Sequence, residues 1–403
     1  MVRVLVLNSG SSSVKYEVID PESTDTLLSG HVERIGAGGA ILTQRRHSDG
    51  VRVKDSGSIL DHRDAIRAIL ELVKDGEKGL GGDAIDAVGH RVVHGGEAFT
   101  GSVRIDERVT EEIRECIELA PLHNPHNLVG IEAARDRLPD LPHVAVFDTA
   151  FHATLSPHAF HYALPYVLYR RYRIRRYGFH GTSHRHVLAR SAELMEVAPD
   201  SLRLISLHLG NGASACAISG GRSVETSMGF TPLEGLVMGT RSGDVDPAVI
   251  LHVMAREEIG LSEATSLLNK HSGLEGLSGI SGDMRDLLEE EEAGEARAAL
   301  ALEVYIHRIR KYIGAYAAVL SGIDALAFTG GIGENATTIR SRALEALEFL
   351  GIEVDPEKND PLVGGEEGFF HAGPTALLVI RSGEEITIAR ETARVVAETS
   401  ADH

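Results

Sequence analysis

Two stretches about 200 residues apart share one pattern, VLVLNSGSSSVKYEVI at residues 4–19 and LISLHLGNGASACAIS at 204–219. Each reads as an apolar strand, a polar residue, a loop of glycine and small hydroxyl residues, and a second strand. A chain that carries the same hairpin twice is constrained towards a duplicated architecture with two facing domains. The remaining pattern agrees. Ala65, Ile66, Ile69, Leu70 and Val73 recur at helical spacing, as do Ile113, Ile117 and Leu119–Ala120 ahead of Pro121. Residues 143–147 (HVAVF) and 203–209 (RLISLHL) predict buried strands. An amphipathic helix is expected over about 295–320, then the strand DALAFTGG and a helix from about Asn335 to Leu350. The acidic run Glu289–Glu292 reads as a solvated helix end. Mixed strands and helices place the chain in the α/β class.

The 403 residues, 43% of them hydrophobic, give room for two or three domains. A formal net charge of -19 argues against nucleic acid as a partner. Two cysteines, Cys116 and Cys216, cannot build a disulfide framework, so a reducing cytoplasm is expected, with both thiols as core filler. No signal-peptide pattern opens the chain, and no apolar run approaches the ~18 residues of a membrane span.

Small-residue turns let backbone N–H groups approach an anion closely. The first loop adds the Asn8 amide, the Ser11 and Ser13 hydroxyls and the Lys15 ammonium; the second offers His208, Asn211 and Gly212. A third glycine loop, FTGGIGEN at 328–335, follows a strand and opens a helix, a suitable place for a nucleotide. None has Walker A spacing, and none sits in a Rossmann unit with a downstream acid. One such loop alone would be an ordinary hairpin; three in one chain point to phosphate.

Charged residues cluster nearby. Arg91 in GHRVVHGGE follows a probable strand, and its planar fork suits a carboxylate or phosphate, or else a structural ion pair. Arg241 lies in a glycine-rich turn, MGTRSGDVDP. PLHNPHN holds His123 and His126, and YGFHGTSHRH holds His180, His184 and His186. These suit donors to a transferring phosphoryl group better than zinc ligands, since no HExxH or cysteine partner exists. Asp148 ends a buried strand, and Glu384 follows an apolar strand and a Ser-Gly turn. Either acid could hold magnesium, and Glu384 could instead charge the first turn of the final helix.

NSGSSSVKY, GHRVVHGGE, PLHNPHN, VFDTAFH, YGFHGTSH, LHLGNGAS, MGTRSGDVDP, GISGDMRD and FTGGIGEN occur in that order. As a set they resemble the acetate kinase family, of the sugar kinase, heat-shock chaperone and actin superfamily, over nearly the whole chain. The resemblance implies two actin-like, ribonuclease H-like ATPase domains with a nucleotide cleft between them, and a homodimer. The first would comprise residues 1–150 with 385–403, the second 151–384. It implies reversible, magnesium-dependent transfer of the ATP γ-phosphoryl group to acetate, with manganese as the alternative metal. Asn8, Ser11, Ser13 and Lys15 would lie near the phosphoryl group, with His208, Leu209, Gly210, Asn211 and Gly212 as a second phosphate loop. Asp283, Met284, Arg285 and Gly331, Ile332, Gly333, Glu334 and Asn335 would hold the adenosine. Arg91 and Arg241 would clamp carboxylate and phosphoryl oxygens, and His180 would stabilise the transition state with His123 nearby. Asp148 would act as a polar acid, and Asn8 and Glu384 would order the metal. Val93, Leu122, Phe179 and Pro232 would form the acyl pocket, with Val93 matching the acetate form. Relatives commonly have Thr-Asn where this chain has Ser382-Gly383, which loosens the turn before Glu384. A kinase for a longer acid, a pyrophosphate-using relative and a nucleotide-gated binding module are the competing readings.

Overall fold

The computed structural model describes residues 2–401 apart from Gly38, Ser58, Asp83 and Leu122. The chain divides into two compact units, Met1–Phe151 with Gly383–His403, and His152–Ser382. The sequence reading put Glu384 at the end of the second domain. Here it opens the final helix, Glu384–Ala401, and belongs to the first unit.

The first unit holds strands β1 (Val4–Ser9), β2 (Ser13–Ile19), β3 (Thr26–Glu33), β4 (Ala40–Arg46), β5 (Arg52–Gly57), β6 (Ala87–Val92), β7 (Val103–Arg104) and β8 (His143–Phe147) in one sheet, ordered β5-β4-β3-β2-β1-β6-β8-β7. β1 to β5 form an antiparallel meander, while β6 and β8 run parallel to β1. The second unit holds β9 (Leu204–Leu209), β10 (Ala213–Ser219), β11 (Arg222–Thr226), β12 (Ala325–Thr329), β13 (Gly368–Phe369) and β14 (Ala376–Val379), ordered β11-β10-β9-β12-β14-β13. β12 and β14 again run parallel to the first hairpin strand. The order β3-β2-β1-β6-β8 is thus repeated as β11-β10-β9-β12-β14, so the repeated hairpin in the sequence marks a repeated topology.

Alternation along the strands divides the first core in two. Leu5, Leu7, Val14, Tyr16 and Val18 face Ala65, Ile66, Ile69, Leu70 and Val73 of the helix His62–Lys74. Val4, Val6, Ile19, Val144 and Val146 face Ile388, Ala389 and Val395 of the final helix. Asp61 caps the first of these helices by accepting from the Asp64 N–H. The expected long helix spans Ala296–Val319. Two expectations change. The pattern around Ile113 and Ile117 is an α-helix, Glu107–Glu115, followed by a 3-10 turn at Cys116–Glu118. The helix expected from about Asn335 to Leu350 starts at Thr337 but ends early, at Leu344, where Glu345, at ψ 140°, leaves the helical region; a 3-10 turn follows at Glu348–Leu350. Both cysteines are buried free thiols.

Candidate active site

In the first unit the tip of the β1–β2 hairpin is a tight turn closed by a Gly10 N–H to Ser13 carbonyl bond of 2.8 Å. Its supports come from residues the sequence reading passed over. His62 Nε2 lies 2.6 Å from the Gly10 carbonyl and stacks on His126 at 5.0 Å. Asn127 donates to the Ser9 carbonyl at 2.8 Å and accepts from the Val93 N–H at 3.0 Å. Asn124 bonds both the N–H and the carbonyl of His94. In PLHNPHN the histidines attracted notice, but the buried asparagines stitch the ends of β1 and β6 together. His123 stands at the N-cap of the helix Asn124–Arg137 and makes no side-chain capping bond.

Arg91, on β6, is the centre of this half. Its Nη1 donates to Asn8 Oδ1 at 3.2 Å, its Nη2 donates to Asp148, and its Nε lies 3.9 Å from Glu384. That Nε is buried and makes no hydrogen bond. Burial alone would weaken the guanidinium charge, but Asp148 and Glu384 overcome it and hold Arg91 firmly protonated. Asp148, just past β8, is 1% exposed and donates its N–H to the Val92 carbonyl at 3.0 Å. Burial, then Asp148 and Glu385, push the Glu384 carboxyl up to about 7, although Arg91 acts against them. The buried Asp148 and half-buried Glu384 carboxylates share one guanidinium and are short of positive charge. With the Asn8 amide beside them they form an oxygen donor set that fits a divalent cation keeping several waters. Among the described residues no group of three or more His, Cys, Asp or Glu is arranged for a metal. Ser11 and Lys15 are exposed, Ser13 is half-buried, and Val93 is buried. Leu122 lies outside the described residues.

In the second unit the β9–β10 turn carries Gly210, Asn211 and Gly212, closed by a Gly210 N–H to Gly212 carbonyl bond of 3.0 Å. His180 caps the helix Gly181–Leu194 in a left-handed conformation, φ 59°, which a non-glycine residue adopts only under local constraint. Its Nδ1 lies 2.8 Å from Ser214 Oγ, and its ring sits 4.3 Å from that of His208. His184 is buried between Ser206 and Ser214, at 2.8 and 2.9 Å, a supporting role and not that of a ligand. Arg241 donates to the Pro232 carbonyl at 2.7 Å. A methyl group placed on Gly212 would meet Arg241 Nη2 at 2.6 Å and His180 Nε2 at 3.4 Å. Gly212, His180 and Arg241 therefore converge on one point. Arg241 makes no ion pair with a described residue, and desolvation lowers its pKa. A half-buried guanidinium without a carboxylate is an anion site awaiting its anion. Phe179 is buried, and its carbonyl lies 3.2 Å from His152 Nε2.

A cavity of about 680 Å³ in the same unit is lined by Gly210, Asn211, Asp283, Met284, Arg285, Gly331, Ile332 and Asn335, and also by Gly282, Leu288 and Ala336. Its size suits a nucleoside. Asp283 and Arg285 bind each other, Nη2 to Oδ2 at 2.6 Å, which holds the Asp283 carboxyl down to about 2. Leu209 and Gly333 lie beneath the lining. A methyl group on Gly330, at φ 79°, would strike the Leu209 carbonyl at 2.7 Å, so that position requires glycine. The Glu334 carboxylate is committed elsewhere. It accepts from the Gly330 N–H at 3.1 Å, from the Ser382 N–H at 3.0 Å and from the Ser382 hydroxyl. Ser382 thus has a fixed partner, and the turn before Glu384 is tethered on one side of Gly383.

Arg340 was not anticipated. It is fully buried, and its five N–H groups reach carbonyl oxygens: Asn359 Oδ1 at 2.8 Å and the backbone of Gly333, Glu334, Asn359 and Leu362 at 2.8–3.0 Å. Desolvation lowers its pKa to about 10, so it stays charged at neutral pH. It complements the C-terminal dipole of the helix Gly330–Asn335. Arg340→Met leaves those buried carbonyls unsatisfied and is expected to lower the melting temperature by several degrees. An unchanged thermal melt would contradict that bracing role.

Residues 3–390 match the model of the Acetokinase family. An acetate kinase of Symbiobacterium thermophilum is 52% identical over 400 residues, covering 98% of this chain and 99% of its own. The solved structure of Porphyromonas gingivalis acetate kinase superposes with a TM-score of 0.94 at 44% identity, covering 98% of this chain and all of its own. A propionate kinase from Francisella tularensis superposes with a TM-score of 0.92 at 39% identity, with the same coverage.

Proposed function

The chain belongs to the acetokinase family, and from that premise we propose that it transfers the γ-phosphoryl group of ATP to acetate, reversibly, giving acetyl phosphate and ADP. The convergence of Arg241 and His180 on Gly212, with no carboxylate to neutralise the arginine, is the observation that supports this most directly. A pure nucleotide switch has no use for such a small-acid and phosphoryl clamp.

An acetate oxygen attacks the γ-phosphorus as the bond to the ADP oxygen breaks, and the electron pair leaves with ADP. No base is needed, because acetate is ionised at pH 7. Charge spreads over the equatorial oxygens, so positioned cations do most of the work. Arg91 and Arg241 orient the carboxylate and the phosphoryl group, and His180 donates to the developing charge with His123 nearby. The hairpin tip from Asn8 through Ser11, Ser13 and Lys15 receives the transferred phosphate, with His208 and Asn211 as further donors. The cavity beside Asp283 takes the adenosine. Asn8 and Glu384, with Asp148 in support, would hold magnesium, or manganese in its place, which would supply charge neutralisation to the phosphates.

Val93, Phe179 and Pro232 are proposed to shape the acyl pocket with Leu122. One extra methylene is worth only ~1–3 kcal/mol, so propionate is a slower substrate and not an excluded one. A hydroxylamine trap with ATP and magnesium tests the reading directly. Acetyl hydroxamate forming fastest supports it; faster product from propionate or butyrate would move the substrate assignment, and no product from any acid would end it.

We also propose a homodimer in the cytoplasm. Two buried free thiols suit a reducing compartment, and no helix among the described residues is long and apolar enough to cross a membrane. The helix Pro247–Glu257 is rich in Val, Ile, Leu and Met yet has no buried residue, with Val249 47% and Leu251 69% exposed. The helix Tyr166–Tyr172 likewise buries nothing. Apolar faces of this kind mark interfaces, and a second copy is the partner that the resemblance supplies. Leu251→Asp is expected to shift the mass by light scattering from dimer to monomer; a dimer unchanged by this substitution and by Val249→Asp would place the interface elsewhere.

A further inference from the structure

One face of the first sheet carries charges that the proposed reaction does not explain. Strand register sets Lys15, His31, Thr43 and Lys54 side by side across β2 to β5, and Glu17, Ser29, Arg45 and Arg52 in the next row. These residues line a groove of about 570 Å³ whose rim includes Glu385. Lys15, Arg45, Arg52 and Lys54 are exposed and make no ion pair or side-chain hydrogen bond with another described residue. Elsewhere arginines are paired even at the surface, as in Arg46 with Asp49, Arg203 with Asp324 and Arg394 with Glu398. Here two arginines, Arg45 and Arg52, stand directly opposite each other. A like-charge cross-strand pair is destabilising, and this chain has nineteen negative charges in excess from which to draw a partner. The acids present are few and engaged or peripheral. Glu17 accepts from the Thr26 hydroxyl at 3.2 Å, and Glu33 lies 3.4 Å from His31.

Basic residues on an edge strand also discourage sheet-to-sheet pairing. That purpose accounts for Arg52 and Lys54 on β5, but not for Arg45 on an inner strand, and of the four cations only Lys15 has a part in the proposed reaction. We propose that this groove is a binding site for a linear, phosphate-rich anion, of the oligophosphate class, distinct from the adenosine cavity. An extended anion with charges along its length matches cations in two rows about two residues, ~6.6 Å, apart along the strands, with neighbours in a row about one strand spacing, ~4.8 Å, apart. Lys15, at one end of the groove, also acts on Glu384, so an anion here would be felt at the reaction centre.

The test is calorimetric titration of inorganic tripolyphosphate into the full-length protein saturated with ADP, without magnesium. One equivalent is expected to bind, more weakly as salt rises. Arg52→Glu and Arg45→Ser should each weaken binding at least tenfold, while Lys358→Glu, an exposed cation in the other unit, should not. Arg52→Glu places opposite charges across the strand pair and should raise the melting temperature, which separates lost binding from lost folding. Neither variant touches the groups proposed for phosphoryl transfer, so basal turnover should be unchanged. No binding beside ADP, or equal weakening by Lys358→Glu, would overturn the site whether or not the chain proves to be an acetate kinase.

Discussion

Arg91→Ala is expected to lower kcat on the order of 100–1000-fold while leaving ADP affinity near wild type. Arg91 lies among Asn8, Asp148 and Glu384 in the first unit, whereas the adenosine cavity belongs wholly to the second. The substitution also strips the Asp148 and Glu384 carboxylates of their shared cation. Breaking a buried pair in that way costs about 3–5 kcal/mol, so the melting temperature should fall with it. Arg91→Lys keeps a charge but cannot span Asn8 and Asp148 with one planar fork, so it should rescue stability more than rate. Steady-state kinetics with ADP titration and thermal melts of both variants decide the matter. Near-normal turnover in Arg91→Ala would remove this arginine from the chemistry.

Glu384→Gln should divide stability from activity. The carboxyl of Glu384 is held at about 7, above its usual 4.5, chiefly by burial. A raised carboxyl pKa means that the ionised form is the costly one in the folded state. The cost is absent below about pH 4.5, grows as pH rises between 4.5 and 7, and is complete above 7. Glutamine removes it, by about 3 kcal/mol at pH 8 on the scale of 1.36 kcal/mol per pKa unit. The variant should therefore melt several degrees higher than wild type at pH 8 and no higher at pH 5. Turnover should fall at least 100-fold, and magnesium, which stabilises whatever binds it, should raise the melting temperature of wild type alone. A variant that melts lower at pH 8, or that still responds to magnesium, would refute the assignment of Glu384 as a charged, metal-ordering group.

Much of this was legible in the sequence because its signals are local. The two glycine hairpins, the helix His62–Lys74 and the strands His143–Phe147 and Leu204–Leu209 all follow from residue spacing. Eight of the residues assigned to adenosine and the second loop by resemblance, Gly210 to Asn335 in chain order, line one cavity beside them. What escaped notice depends on partners distant in the chain. Arg340 reads as a surface arginine in TTIRSRAL, and only the carbonyls of Gly333, Asn359 and Leu362 turn it into a buried brace. Glu334 reads as part of a nucleotide loop, but its carboxylate is spent on Ser382, 48 residues away. His62 and Asn127 support the first hairpin tip from positions 52 and 118 residues along the chain. The helix expected over 335–350 failed for the opposite reason. Its composition permits a helix throughout, but it stops at Leu344 because Glu345 turns extended, at ψ 140°, and Ala346 left-handed, at φ 60°, angles that helical periodicity does not register.

The first unit is written in two instalments. Its sheet is synthesised before Phe151, but the helix that covers Val4, Val6, Ile19, Val144 and Val146 begins only at Glu384. At about 5–20 residues per second a ribosome needs on the order of 10–50 s to make the intervening unit. Throughout that interval one apolar face of a nascent eight-stranded sheet has no lid of its own. The uninterrupted second unit is free to fold first, and the last turns made are those that seal the earliest strands, so a ribosome stalled late would release a chain with that face bare to chaperones and to its own kind.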